Sequence, residues 1–245
     1  MPSFEPEIIF TFFGLKVSNT ILATVLVDFL LISIVFSVHK KLSIYPKGLQ
    51  NLFEYMIEYF YTLTEQIAGK RASAIFPWFA SFFIFILFAN ILGLFPGFGT
   101  IGIFESGEGI KKFIPILRSA TSDFNTTLAL ASISLIATHA LSIKYVGIKD
   151  YLKRFFSFNP VFLFVGILEL VGEFTKLFSL SFRLFGNIFA GEVVLSTISS
   201  LFAFIIPIPF LLLETIVALV QALVFAMLTM AFMSILTTPH GEESH

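Results

Sequence analysis

Apolar residues fall in blocks along this chain. Five blocks are long enough to cross a bilayer, whose hydrocarbon core of about 30 Å takes roughly 20 residues of helix. They cover about residues 20–38, 75–95, 127–146, 161–190 and 193–236. The first holds a single acid, Asp28, and the second stops at Pro96 and Gly97. The last two are longer than a perpendicular crossing requires, so tilting or a break is expected. Pro207 and Pro209 divide the fifth block and leave 210–236 as the final helix.

Residues 48–69 follow a different pattern. Leu49, Leu52, Phe53, Met56, Ile57, Phe60, Leu63 and Ile67 recur at helical spacing, while Gln50, Asn51, Glu54, Glu58 and Glu65 occupy other faces. This predicts an amphipathic helix lying in the membrane interface; the other reading is a water-soluble amphipathic helix packed on a partner. The expected fold class is all-α. It is a polytopic membrane protein in one integral membrane domain, 1–245, with five spanning regions, one interfacial helix and a long tilted C-terminal helical hairpin.

Composition supports lipid as the solvent. Hydrophobic residues make up 57% of the chain and charged residues 13%, against about 25% charge in soluble domains; mean hydropathy is +0.94. A net charge of −1 gives no sign of a nucleic-acid partner. The absence of cysteine excludes disulfides, thiolate catalysis and cysteine metal sites. No phosphate-cradling glycine loop, metal-spaced histidine cluster or serine nucleophile elbow occurs, so no catalytic site of its own, no cofactor and no metal are expected. Residues 1–13 carry Glu5 and Glu7 and lack a basic leader, which reads as a retained segment and not a signal peptide.

Lysine and arginine counts set the orientation. Lys40, Lys41, Lys47, Lys70 and Arg71 flank the interfacial helix, and Lys144, Lys149, Lys153 and Arg154 follow the third block, which puts both groups on the inner side. In loop 97–125, Lys111, Lys112 and Arg118 are set against Glu105, Glu108 and Asp123, as suits the outer side. The N-terminus is then outside and the tail, 239–245, inside.

The fourth block places Glu169, Glu173, Lys176, Arg183 and Glu192 inside or near hydrocarbon. Each such charge at mid-bilayer costs about 2.5–3.5 kcal/mol even on a lenient scale, so partners or water are required. Snorkelling to the interface serves residues near a helix end and fails for Arg183. At 100° per residue, Glu169, Lys176, Arg183 and Asn187 fall within about 40° of one helical face. Glu214 and Gln221 share a face of the last helix. With the two helices antiparallel and Gln221 level with Arg183, Glu192 lies about 13 Å and Glu214 about 10 Å toward the outer side, while Glu169 lies about 21 Å the other way. Glu192 is turned about 180° from Arg183 on a straight helix, so a bend at Gly186 to Gly191 or a tilted partner is expected to bring it to the same wall. Acids grouped on either side of a permanent cation suit two offset half-channels better than one continuous pore. His139, alone in the third block, reads as a hydrogen-bonded interhelical histidine, with a proton-relay role as the alternative.

The segments SLSFRLFGNIFAGE (179–192), LETIVALVQALVFAML (213–228) and TSDFNTTLAL (121–130) resemble subunit a of F-type ATP synthases. The resemblance implies two long tilted helices wrapped against a ring of c subunits, with Arg183 facing the essential carboxylate of each passing c subunit and blocking direct leakage. It further implies that Asn187 and Gln221 line the neighbourhood of the arginine and that Glu192 and Glu214 belong to the outer half-channel. Glu169 and Ser179 then belong to the inner half-channel, and Asp123 and Asn125 to the outer entrance. Family members often carry a histidine and an acid where this chain has Glu192 and Glu214. The implied partners are the c-ring, peripheral-stalk subunit b, the water-soluble catalytic head through the assembled complex, and membrane lipid. The implied location is a bacterial plasma membrane, with an organellar energy-transducing membrane as the alternative. An ion-coupled secondary transporter with an arginine anion site is the rival reading; it needs paired halves, and no internal repeat is visible. An Arg183 pointing to open solvent, or turned away from the helix bearing Gln221, would contradict the assignment.

Overall fold

The computed structural model describes residues 6–12, 14–39, 48–99, 101–107, 110–155, 160–201 and 205–238. Lys40, Lys41, Lys47, Glu108 and the tail 239–245, all used in the orientation argument, lie outside the described residues.

Among the described residues seven α-helices carry the fold: α1 (Asn19–His39), α2 (Leu49–Ala68), α3 (Ala72–Leu94), α4 (Phe124–Val146), α5 (Ile148–Phe155), α6 (Pro160–Leu201) and α7 (Pro207–Thr237). Short extended segments accompany them. β1 (Ile8–Phe12) and β2 (Leu15–Ser18) form one antiparallel hairpin before α1. Between α3 and α4, β3 (Pro96–Gly99) leads into a second hairpin of β4 (Gly102–Gly107) and β5 (Ile110–Pro115).

The centre of the bundle is set by α7. Ala218, Ala222 and Ala226 recur every four residues and are fully buried. Small residues at that spacing let another helix approach closely where lipid supplies no hydrophobic drive. The helix that does so is α3, which makes its widest contact with α7 and sets Ile75, Phe79, Phe82, Phe83 and Ile86 against Phe225, Met230 and Met233 in one core. The rings of Phe82 and Phe225 meet at 5.5 Å. α4 and α6 close the other side through Ala131, Ala137, Leu141, Leu180 and Leu184. Hydroxyl pairs cross between helices: Ser134 with Thr229 at 2.8 Å, Thr127 with Ser181 at 3.2 Å, and Ser142 donating to the Leu236 carbonyl at 2.7 Å.

Among the described residues four helices are able by length and composition to cross a membrane, and five when α5 and α6 are taken together as one broken span. Two expectations need correction. The fourth block does not end at 190: α6 runs unbroken through Gly186 and Gly191 to Leu201, because neither glycine costs a membrane helix enough to end it. At about 1.5 Å per residue its 42 residues reach about 63 Å. The fifth block accordingly starts later, and α7 begins at Pro207, not at 210. Proline at the first helical position lacks only an N–H that has no partner there anyway. The all-α expectation holds; the two short hairpins lie between and before the helices, and loop 97–125 brings Glu105 opposite Lys112 in an antiparallel register. α2 is a helix as expected, with Met56 and Phe60 packed against the core.

Candidate ion-translocation site

Arg183 projects from the middle of α6 with Ser179 one turn before it and Asn187 one turn after, all three exposed. Such i, i+4 neighbours share a helix face. The guanidinium lies 3.5 Å from the Ser179 hydroxyl. Among the described residues no carboxylate pairs with it. Its neighbours along α6, Phe178 and Phe182, are apolar and exposed, so this part of the helix is suited to lipid or another protein and not to bulk water.

Asn187 joins the two long helices. Its side-chain amide donates to Gln221 Oε1 at 2.6 Å, and Gln221 is buried on α7 with its Nε2 unpartnered. Gln221, expected level with Arg183, is bonded instead to Asn187, one turn further along. Among the described residues the one side-chain hydrogen bond of Arg183 is to Ser179.

Beyond Asn187 a cavity of about 260 Å³ opens between α3, α6, α7 and the loop before α4; Asn90, Arg118, Ile188, Glu192 and Glu214 line it. Glu192 and Glu214 thus share one chamber, as the axial arithmetic required. Ile188 and Glu192 stand one turn apart on α6, turned from Arg183, and Glu214 of α7 lines the same cavity. Arg118 holds Glu192 through Nε at 3.2 Å and a terminal nitrogen at 3.3 Å, a forked contact. Glu214 is 8% exposed and its Oε1 has no hydrogen-bond partner. Its carboxylate rests on Gly191, where any added Cβ would overlap it.

Asp123 and Asn125 stand outside that lining. Asp123 caps α4 by accepting from the Asn125 backbone at 2.9 Å and from the Thr20 hydroxyl at 3.0 Å; Asn125 Nδ2 reaches the same carboxylate at 3.2 Å. This is an N-cap geometry that ties the start of α1 to the start of α4.

At the other end of α6, Glu169 pairs with Arg154 of α5. Glu173 is 6% exposed and accepts from Lys176 Nζ at 2.8 Å. His139 on α4 stands 3.8 Å from Glu173 and hydrogen-bonds the Tyr151 hydroxyl through Nδ1 at 3.0 Å, the bonded interhelical histidine expected. Ser179 is not brought to Glu169; it faces Arg183. Sequence reasoning missed Arg118, Arg154 and Asn90 as partners. The two arginines were visible only as loop charges, and Asn90, which accepts from Thr121 at 2.6 Å and donates to the Ala218 carbonyl at 3.3 Å, was visible as a lone polar residue in an apolar block.

Fold and site together define a multi-pass α-helical membrane protein that keeps ionisable groups at intervals through the depth of a bilayer. A family model described as ATP synthase A chain matches residues 18–234. ATP synthase subunit a of Moorella thermoacetica is 32% identical, over 96% of this chain and 97% of that protein. ATP synthase subunit a of Syntrophobacter fumaroxidans is 36% identical over 79% and 73%. A sodium-ion-specific ATP synthase subunit a of Propionigenium modestum is 33% identical over 90% and 74%. The chain belongs to the ATP synthase subunit a family. It is the proton or sodium channel subunit of that complex, non-catalytic, and a multi-pass protein of the bacterial plasma membrane.

Proposed function

We propose that this chain is the stator half of an ion turbine, with two offset aqueous half-channels that open to opposite sides and Arg183 as the barrier between them. The observation that carries this reading is the Arg183 guanidinium itself: exposed on an apolar surface and without a carboxylate partner among the described residues. A cation in hydrocarbon is too costly to be left alone, so its counter-charge comes from another chain, here a c subunit of the rotating ring. The cavity holding Glu192 and Glu214 serves as the outer half-channel, with Asp123 and Asn125 shaping its entrance through the α4 cap. Glu169 and Ser179 serve the inner one. Asn187 and Gln221 fix the distance between α6 and α7 beside the arginine. Because a guanidinium stays protonated, an ion arriving from either side leaves only on the passing c-ring carboxylate. The membrane potential supplies about 2.3 kcal/mol per charge per 100 mV.

In this account α5 and α6 make the fifth crossing, α2 lies along the inner interface, and α6 is strongly tilted, since about 63 Å is twice the hydrocarbon thickness. The whole chain acts as one membrane unit. Subunit b and the catalytic head are the remaining partners. The test is ATP synthesis in vesicles carrying Arg183→Ala or Arg183→Lys. Synthesis is abolished by Ala and poor with Lys, which loses its proton when buried. Normal synthesis with Ala contradicts the reading.

A further inference from the structure

Asp28 stands at the tenth of the 21 positions of α1, which puts it at the centre of the bilayer, and it is exposed. Among the described residues it makes no hydrogen bond or ion pair. An ionisable side chain at that depth ordinarily faces a bundle interior and is paired there.

The rest of α1 repeats the anomaly. It is held by one edge only: Ala23 and Val27 are buried, with Leu31 partly so, in a small cluster with Ala89 and Ala120. Only 17% of its apolar stretch is buried within the chain, against 39% for α4 and 44% for α7. The face bearing Asp28 also carries Val25, Phe29, Ile32 and Val35, all exposed. Val25 and Ile32 are one turn either side of the acid, so they flank it on the same stripe. An uncovered apolar stripe with an acid at its midpoint complements a helix that is apolar except for a cation at the same depth.

We propose that this face of α1 is a docking surface for a transmembrane helix of another subunit of the complex, one that presents a lysine or arginine to Asp28 at mid-membrane. This rests on membership of a multi-subunit complex and not on the role given to Arg183. The acid then fixes the depth of the partner helix, and the apolar residues around it supply contact area without specificity.

Asp28 makes no hydrogen bond or ion pair among the described residues, so its substitution breaks no such bond within them. A photoreactive phenylalanine analogue is placed at Val25 or Ile32 in the intact complex in native membranes, and adducts are mapped by mass spectrometry. The expected result is an adduct with one membrane subunit, within a helical turn of a lysine or arginine. Asp28→Glu retains it, while Asp28→Asn and Asp28→Leu lower its yield about tenfold or more, because a buried cation is left uncompensated, with the level of this chain in the membrane unchanged. Adducts with lipid only, with a second copy of this chain, or with a segment lacking a basic residue overturn the proposal, as does full yield with Asp28→Asn. Proton leak through Arg183 variants, read on separate vesicles, reports on the turbine reading independently.

Discussion

Gly191→Ala tests the closest approach in the outer chamber. The added Cβ overlaps the carboxylate of Glu214, a side chain that is 8% exposed and wedged between α6 and α7. The backbone of α6 is helical here. The relief available is rotation of the carboxylate into the adjoining cavity of about 260 Å³, toward the pair of Arg118 and Glu192. The clashing atoms are the far end of a flexible side chain, so the cost is that of an off-rotamer carboxylate, about 0.5–1.5 kcal/mol. The clash needs both partners, so Glu214→Ala removes it. In reversible unfolding of the purified subunit in mixed micelles, Gly191→Ala is expected to lose about 0.5–1.5 kcal/mol alone and almost nothing when Glu214→Ala is already present. ATP-driven ion uptake by vesicles falls with the single Gly191→Ala change, because the carboxylate no longer holds its place on the wall. Simple additivity of the two substitutions refutes the contact, and unchanged uptake refutes its place in the path.

Three further outcomes follow from the same geometry. Gln221→Leu removes the acceptor for the Asn187 amide at 2.6 Å and is expected to destabilise the hairpin of α6 and α7 by about 1–2 kcal/mol, read as a lower unfolding midpoint, whereas Gln221→Glu keeps an acceptor and loses less. Gly166→Val sets side-chain atoms against the Phe155 carbonyl, which is backbone and cannot swing aside, so α5 detaches and limited proteolysis between α5 and α6 accelerates; an unchanged cleavage rate contradicts the packing. Arg118→Gln leaves Glu192 without its forked partner and is expected to slow uptake from the outer side more than Lys153→Gln, which breaks an exposed surface pair of little worth.

Much of the fold was legible because a bilayer imposes a simple rule of length, and the starts of α1, α3 and α4 fall within a few residues of the block edges. The spacing of four between Arg183 and Asn187 put both on one face, as found. Axial counting placed Glu192 and Glu214 at one depth, and one cavity holds both. The errors lie where helical periodicity carries no information. Gly191 and Glu192 look like the end of a span in hydropathy, yet the glycine is there so that Glu214 can lie against α6. Arg118 and Arg154 read as loop charges because nothing in their spacing tells which acid they reach after the chain has turned back 74 and 15 residues along. The antiparallel register of β4 and β5 is likewise a matter of loop geometry and not of a long apolar repeat.

The central claim is that one guanidinium keeps two water-filled paths apart. Passive proton conductance of vesicles stripped of the catalytic head, driven by an imposed potential, measures it directly. With Arg183→Ala the leak rises above the native level while ATP synthesis is lost; a leak equal to that of the native protein, with synthesis intact, contradicts the account.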